Sequence, residues 1–214
     1  MFDFKKEYKE FYLPKNVPSA VHVPAANFLA VSGAGDPNEP DGAYKTALEK
    51  LYAVAYTLKM SCKTDYRIKG FYEYVVPPLE GFWKTDGAFP QDKSKLRWIS
   101  VIRLPEFITA EHVQWAKDTA AAKKKLACAD VEFRTVNEGL CVQILHTGSY
   151  DDEPATIARM EQFMRENGYQ TDFESGRLHH EIYLSDPRRT APEKLKTVIR
   201  LPVRPSERKG ASSE

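Results

Sequence analysis

Val101-Ile102-Arg103-Leu104-Pro105 returns, residue for residue, as Val198-Ile199-Arg200-Leu201-Pro202. A five-residue identity within a chain of 214 residues marks an internal duplication. Self-similarity of this kind decides architecture ahead of local propensity. Before each copy the same signals come in the same order. A strand closes at Ser32-Gly33 or Thr147-Gly148, an acidic turn follows, then an amphipathic helix, then two strands rich in aromatic and β-branched residues. The pattern predicts an α+β fold of duplicated strand-helix-strand-strand modules. Their strands form an antiparallel sheet with helices on one face, and a ligand cleft lies at the seam between the modules.

In the first unit a strand over 28–32 meets the breaker cluster Gly33-Ala34-Gly35-Asp36-Pro37. A helix then begins near Asp41, which is placed to cap it. Tyr44, Ala47, Leu48, Leu51, Tyr52, Ala55 and Leu58 follow the three-and-four spacing of one buried stripe. Strands are predicted over 68–76 and 96–104, separated by a Pro- and Gly-containing excursion over 77–92. A helix over 109–125 connects the halves. In the second unit a strand over 140–146 turns at Gly148-Ser149-Tyr150-Asp151-Asp152. The helix that follows has Pro154 in its first turn, the stripe Ile157, Met160, Phe163 and Met164, and Gly168 at its exit. A strand over 179–184, a short helix capped by Thr190 and Glu193, and a strand over 197–202 complete it. The expected organisation is one domain over 1–205, with repeats at about 20–105 and 130–205, and a polar, disordered tail over 206–214.

Composition narrows the function classes. With 42% hydrophobic and 12% aromatic residues the chain can bury a substantial core. Its formal net charge of +1 and interspersed charges offer no footprint for nucleic acid or an anionic membrane. The basic run Lys123-Lys124-Lys125 sits where a helix C-terminus favours positive charge. No apolar run reaches membrane-spanning length, and residues 1–12 alternate charges with aromatics, so a cytoplasmic protein is expected. Cys62, Cys128 and Cys141 lack metal-site or paired spacing and suit free thiols in a reducing compartment. Gly33-Ala34-Gly35 is followed neither by the third glycine of a dinucleotide loop nor by a phosphate-loop Lys-Ser or Lys-Thr. No cofactor is therefore expected.

Two clusters remain as candidates for chemistry. The first is aromatic: Tyr72 and Tyr74 share a face of the strand predicted over 68–76, Phe82 and Trp83 follow in the excursion, and Trp98 lies on the next strand. A tryptophan on a Pro- and Gly-bounded loop is harder to explain as core than one on a strand. The second is His179-His180-Glu181-Ile182-Tyr183-Leu184, where a period of two puts His179, Glu181 and Tyr183 on one face. A glutamate among Ile and Leu is expensive to bury without a partner. His179 and Glu181 lack a third ligand at metal spacing, so no metal is expected. Glu80, three residues before Trp83, is a spare carboxylate.

The stretches Asn27-Phe28-Leu29-Ala30-Val31-Ser32-Gly33-Ala34-Gly35-Asp36-Pro37-Asn38, Leu51-Tyr52-Ala53-Val54-Ala55-Tyr56-Thr57-Leu58-Lys59, Pro77-Pro78-Leu79-Glu80-Gly81-Phe82-Trp83 and His179-His180-Glu181-Ile182-Tyr183-Leu184-Ser185-Asp186-Pro187 together resemble the GyrI-like small-molecule-binding proteins. The likeness covers nearly the whole chain. It implies two modules related by a pseudo-two-fold axis and an aromatic cleft between them that contains a glutamate matching Glu181. The family includes drug-binding sensor domains, gyrase-inhibitory proteins and stand-alone proteins that hydrolyse cyclopropane-bearing genotoxins. The chain looks like the stand-alone branch. For the hydrolases the resemblance implies an essential tryptophan and glutamate, carried over here to Trp83 and Glu181; Phe82 departs from a more usual Leu. The implied ligand is a planar aromatic or cationic small molecule, held by Tyr72, Tyr74, Phe82, Trp98, Tyr183, His179 and Glu80 around the catalytic pair. The implied assembly is a monomer or homodimer. The alternative is a non-catalytic multidrug-binding protein using the same residues.

Overall fold

The computed structural model describes residues 1–84, 92–173 and 176–206. Two four-residue helices, α1 (Phe4–Glu7) and α2 (Lys9–Tyr12), precede β1 (Ser19–Val23) and β2 (Ala26–Ala34). Then come α3 (Ala43–Lys59), β3 (Leu79–Trp83), β4 (Arg97–Arg103), α4 (Ala110–Lys124), β5 (Glu132–Val136) and β6 (Gly139–Thr147). The chain finishes with α5 (Glu153–Glu166), β7 (Tyr169–Thr171), β8 (His179–Tyr183) and β9 (Lys196–Pro205). The strands pair antiparallel in the order β1-β6-β9-β8-β3-β4-β2-β5, and β7 adds to β9.

That order explains the repeated pentapeptide. The connectivity β2-α3-β3-β4 recurs as β6-α5-β8-β9, and the two identical segments begin inside β4 and β9, each the middle strand of its trio. The trios meet at β3 and β8. Each is edged by the strand that immediately precedes the other unit: β1 joins β6 and β5 joins β2. The halves are therefore laced together by their edges as well as by the central pair.

Alternation along the strands separates two faces. Leu29, Val31 and Ile102 point to the face covered by α3 and α4, where Leu51, Val54, Leu58, Val113 and Ala116 complete a core. Val142, Ile144 and Ile199 point the same way under α5 and pack against Met160 and Met164. Each fully buried aliphatic side chain here contributes roughly 1.5–3 kcal/mol relative to exposure. The opposite face is covered in part by the N-terminal helices: Phe4 and Tyr12 pack with Tyr74, Ile182 and Val198. An all-helices-on-one-face arrangement therefore holds for α3, α4 and α5 but not for α1 and α2. Gly33 lies inside β2 because the Trp98 indole lies on it; a Cβ there would stand 2.2 Å from the ring.

Several local expectations are corrected. Residues 68–76 form no strand. Among them only Tyr74 bridges, to Phe2, and the strand after α3 is β3, so Trp83 lies on a strand and not on a loop. Helix α3 is capped from Gly42 without a side-chain bond. Asp41 takes a φ of 61° and reaches Lys45 at 2.6 Å. The turn at Pro192–Lys194 starts from Ala191, with no side-chain cap from Thr190. Strands β1, β5 and β7 were not anticipated. Of the tail over 206–214, only Ser206 belongs to the described residues; its amide bonds Gly168 O.

Candidate functional site

The site follows from the register of the central pair. Gly81 stands opposite Glu181 and Trp83 opposite His179, so Trp83, Glu181, His179 and, two residues on, Tyr183 share the helix-bearing face. Their polar atoms form one chain. Trp83 Nε1 donates to Tyr183 Oη at 3.0 Å, Tyr183 Oη donates to Glu181 Oε2 at 2.7 Å, and Glu181 Oε1 lies 3.1 Å from His179 Nε2. Glu181 is 5% exposed and Trp83 6%.

The two helices bring further groups to this spot, because both start from the turn that ends the first strand of their unit. From α3, Tyr44 lies over Trp83 with ring centroids 6.3 Å apart and an interplanar angle of 20°, and meets Trp98 edge-on at 5.0 Å. Trp98 pairs with Trp83 across β3 and β4 and is buried beside the site. From α5, the buried Glu153 comes close to the Glu181 carboxylate. Burial, then the neighbouring Glu181 carboxylate, raises the Glu153 pKa well above the usual carboxylate range, which favours its protonated form. The turn that aims Glu153 is fixed by His146, whose Nδ1 lies 2.8 Å from Thr156 Oγ1 and whose Nε2 lies 3.0 Å from Ser149 O. Tyr150 meets Tyr183 edge-on at 6.0 Å, and burial foremost pushes its phenol up to about 12.

Gly81 makes this geometry feasible. A Cβ at 81 would stand 2.9 Å from Tyr183 Oη and 3.1 Å from Trp83 Nε1. Gly81→Ala should therefore push the phenol and indole apart, with destabilisation of about 1–3 kcal/mol from overpacking. Tryptophan near-ultraviolet dichroism should change with it. An unchanged spectrum and melting curve would show that the indole–phenol contact is not held as described.

Four candidates lie elsewhere. Glu80 and Phe82 alternate onto the opposite face, where Tyr12 Oη donates to Glu80 Oε1 at 2.7 Å and Phe82 stacks on His180. Tyr74 is buried under the N-terminal helices, and Tyr72 is 36% exposed beside Phe2 and Phe107. A groove with about 200 Å³ of room also lies on that opposite face, bounded by Phe82, Ile99, Arg134, Glu138, Arg177 and Leu178; it touches neither Trp83 nor Glu181. Tyr44 was anticipated only as part of a buried helix stripe, and Glu153 not at all. The one signal pointing to them was that both helices of the repeat begin at equivalent turns. Among the described residues no three His, Cys, Asp or Glu side chains gather as a metal site, and no helix is long and apolar enough to cross a membrane.

An α+β sheet with paired carboxyls and stacked aromatics at the junction of two like units defines a small-molecule-binding module. Residues 17–204 match the GyrI-like small molecule binding domain, and the chain belongs to that family. Among solved structures, it is similar to a protein from Listeria innocua described as a hydrolase, at 46% identity and TM-score 0.87, covering 95% of this chain and all of that one. A Listeria innocua structure described as an uncharacterized conserved protein is likewise 46% identical, with TM-score 0.89 and 95% and 100% coverage. The C-terminal domain of EcmrR, at 13% identity, TM-score 0.53 and coverage of 88% and 97%, shares the fold alone. No curated protein matches.

Proposed function

We propose that this chain binds planar aromatic small molecules at the junction of β3 and β8 and opens cyclopropane-bearing genotoxins with water. The observation that carries the reading is a carboxylate, Glu181, linked through one phenol to the indole of Trp83 on one sheet face. Trp83 and Tyr44 supply flat π surfaces against which a planar ligand is positioned, and positioning is a large part of catalysis. Glu181 orients water and accepts its proton while Glu153, carrying its own, stays a donor. A spirocyclopropane conjugated to a dienone is strained. Water adds its oxygen to the ring carbon, the carbon–carbon bond breaks, and its electron pair passes into the ring, which takes a proton to become a phenol. General-base help of this kind contributes about a hundred- to ten-thousand-fold. The hydrolase description of a relative 46% identical over the whole of its chain supports turnover over mere capture.

The test is incubation with a duocarmycin-type cyclopropane compound, followed by mass spectrometry. The expected product is the water adduct, formed faster than in buffer. Binding without the adduct would leave the alternative, a non-catalytic multidrug binder in which Glu181 neutralises a cationic ligand. The reading places the protein in the cytoplasm, with neither nucleic acid nor membrane as a partner.

A further inference from the structure

Directly behind the site, the opposite face of the same two strands carries a second buried polar cluster. His180, 1% exposed, stands with Nδ1 2.9 Å from Glu138 Oε2 and 3.3 Å from Arg200 Nη1, and with Nε2 2.9 Å from Glu80 Oε2, a close charge contact without hydrogen-bond geometry. Arg200 Nη1 donates to Glu138 Oε1 at 2.8 Å, and the Phe82 ring lies 4.1 Å from the imidazole at 22°. A neutral imidazole has one N–H, whereas the imidazolium turns an N–H toward each of the two carboxylates at once. Among groups in direct contact with the two carboxylates, Arg200 is the partner of Glu138, and His180 lies against both Glu138 and Glu80. Burial alone would lower the pKa of His180, but Glu138 and then Glu80 outweigh it and hold the ring above its ordinary value.

The cluster also grips the start of the chain. Tyr12 Oη donates to Glu80, Arg200 Nη2 donates to Phe11 O at 2.9 Å, and Gln143 Nε2 donates to Glu10 O at 2.7 Å. Gln143 Oε1 accepts from Arg200 Nε at 3.2 Å. Other charged or titratable groups face it from the neighbouring elements: Arg103 from β4 beside Tyr12, Arg177 bonded to Glu138 O, and Cys141, whose thiol burial pushes up to about 12. The free space among Tyr12, Glu80, Glu138 and Arg200 is about 10 Å³, room for one water at most. The gripped residues, 1–13, precede the matched family span, which begins at residue 17.

We propose that His180 is a positioning residue and a proton-controlled latch: as an imidazolium it ties β3 to β8 and holds residues 1–13 against the back of the sheet, and losing its proton frees that cap and loosens Trp83 and Glu181. The inference concerns geometry and holds whether or not a bound ligand is turned over. The sign follows from the raised folded value: the contribution is fully present below about pH 6.5, the unfolded histidine value. It is lost as pH rises through the folded one.

The test uses the full chain labelled with ¹⁵N. Histidine ring spectra should show His180 doubly protonated at pH 6.5 and into the neutral range. On further alkalinisation, exchange of the Tyr12 and Leu13 amides, bonded to Tyr8 O and Lys9 O, should accelerate with the midpoint of the His180 titration. The Trp83 indole N–H resonance should move at the same midpoint. Glu138→Gln should lower all three midpoints together. If that variant does not fold, Tyr12→Phe carries the test: exchange of the cap amides should speed about fivefold to tenfold while the ring stays doubly protonated. A neutral His180 ring at pH 6, or cap exchange and an indole signal that ignore its titration, would overturn the proposal.

Discussion

Glu181→Gln is expected to reduce ring opening by about a hundred- to ten-thousand-fold while leaving ligand affinity within about threefold. Glutamine keeps the shape and an oxygen to accept from Tyr183 at the position Glu181 Oε2 holds, 2.7 Å from the phenol. It cannot take a proton from water. Glu153 does not rescue the variant, because burial, the largest cause of its raised pKa, persists when the neighbouring carboxylate is gone, and a carboxylic acid is no base. Single-turnover kinetics with the duocarmycin-type compound, beside a fluorescence titration of binding, separates the two quantities. Equal loss of binding and turnover would mean that the charge of Glu181 serves ligand capture, and the base assignment would fall. The raised pKa of Glu153 carries a second consequence. Its contribution to stability is complete below the unfolded carboxyl value and declines as pH rises toward the folded one, where two like charges would face each other.

The pieces of this site differed in how far the sequence disclosed them. A period of two was enough to put His179, Glu181 and Tyr183 on one face, because β8 is a regular strand. The same rule failed over 68–76. The alternation of Tyr72, Tyr74 and their neighbours is satisfied by packing on Phe2, Phe4 and Phe107 and not by a sheet partner. Aromatic alternation reports burial on alternate sides, whichever element supplies the walls. Pro77 and Pro78 looked like strand breakers, whereas they precede β3, which begins at Leu79 with donors to give. The choice between Glu80 and Glu181 rested on register. Glu80 pairs with Ile182 and Glu181 with Gly81, so neighbouring strands present the two carboxylates to opposite faces. Glu153 was invisible for a different reason: its partner lies on another strand, and only the fold brings an acidic helix start over a buried carboxylate.

Arg200→Met should be the most destabilising substitution of those considered, at about 3–5 kcal/mol near neutral pH. For a chain of this size that corresponds to a fall in melting temperature of roughly 6–20 °C. Arg200 is 2% exposed, lies in the repeated pentapeptide, and bonds Glu138, Gln143 and Phe11 O at once. Its counterpart in the first copy, Arg103, instead lies against the rings of Phe4 and Tyr8, so identical segments have taken different tasks. Methionine fills the volume but abandons Glu138, a buried carboxylate that burial would push up and that Arg200 and His180 hold down at about 2. In the native chain the stability from Glu138 is present above its unfolded value, near 4.5, and lost only as pH falls through about 2. Without Arg200 the carboxyl takes up its proton at a higher pH, so the gap between variant and native chain should narrow from pH 7 toward pH 4. Adding Glu138→Gln, which removes the abandoned charge, should restore part of the lost stability in a double-mutant cycle. Urea unfolding of the four proteins at both pH values measures this. A gap below about 1 kcal/mol, or one that ignores pH, would mean that Arg200 does not hold Glu138 ionised.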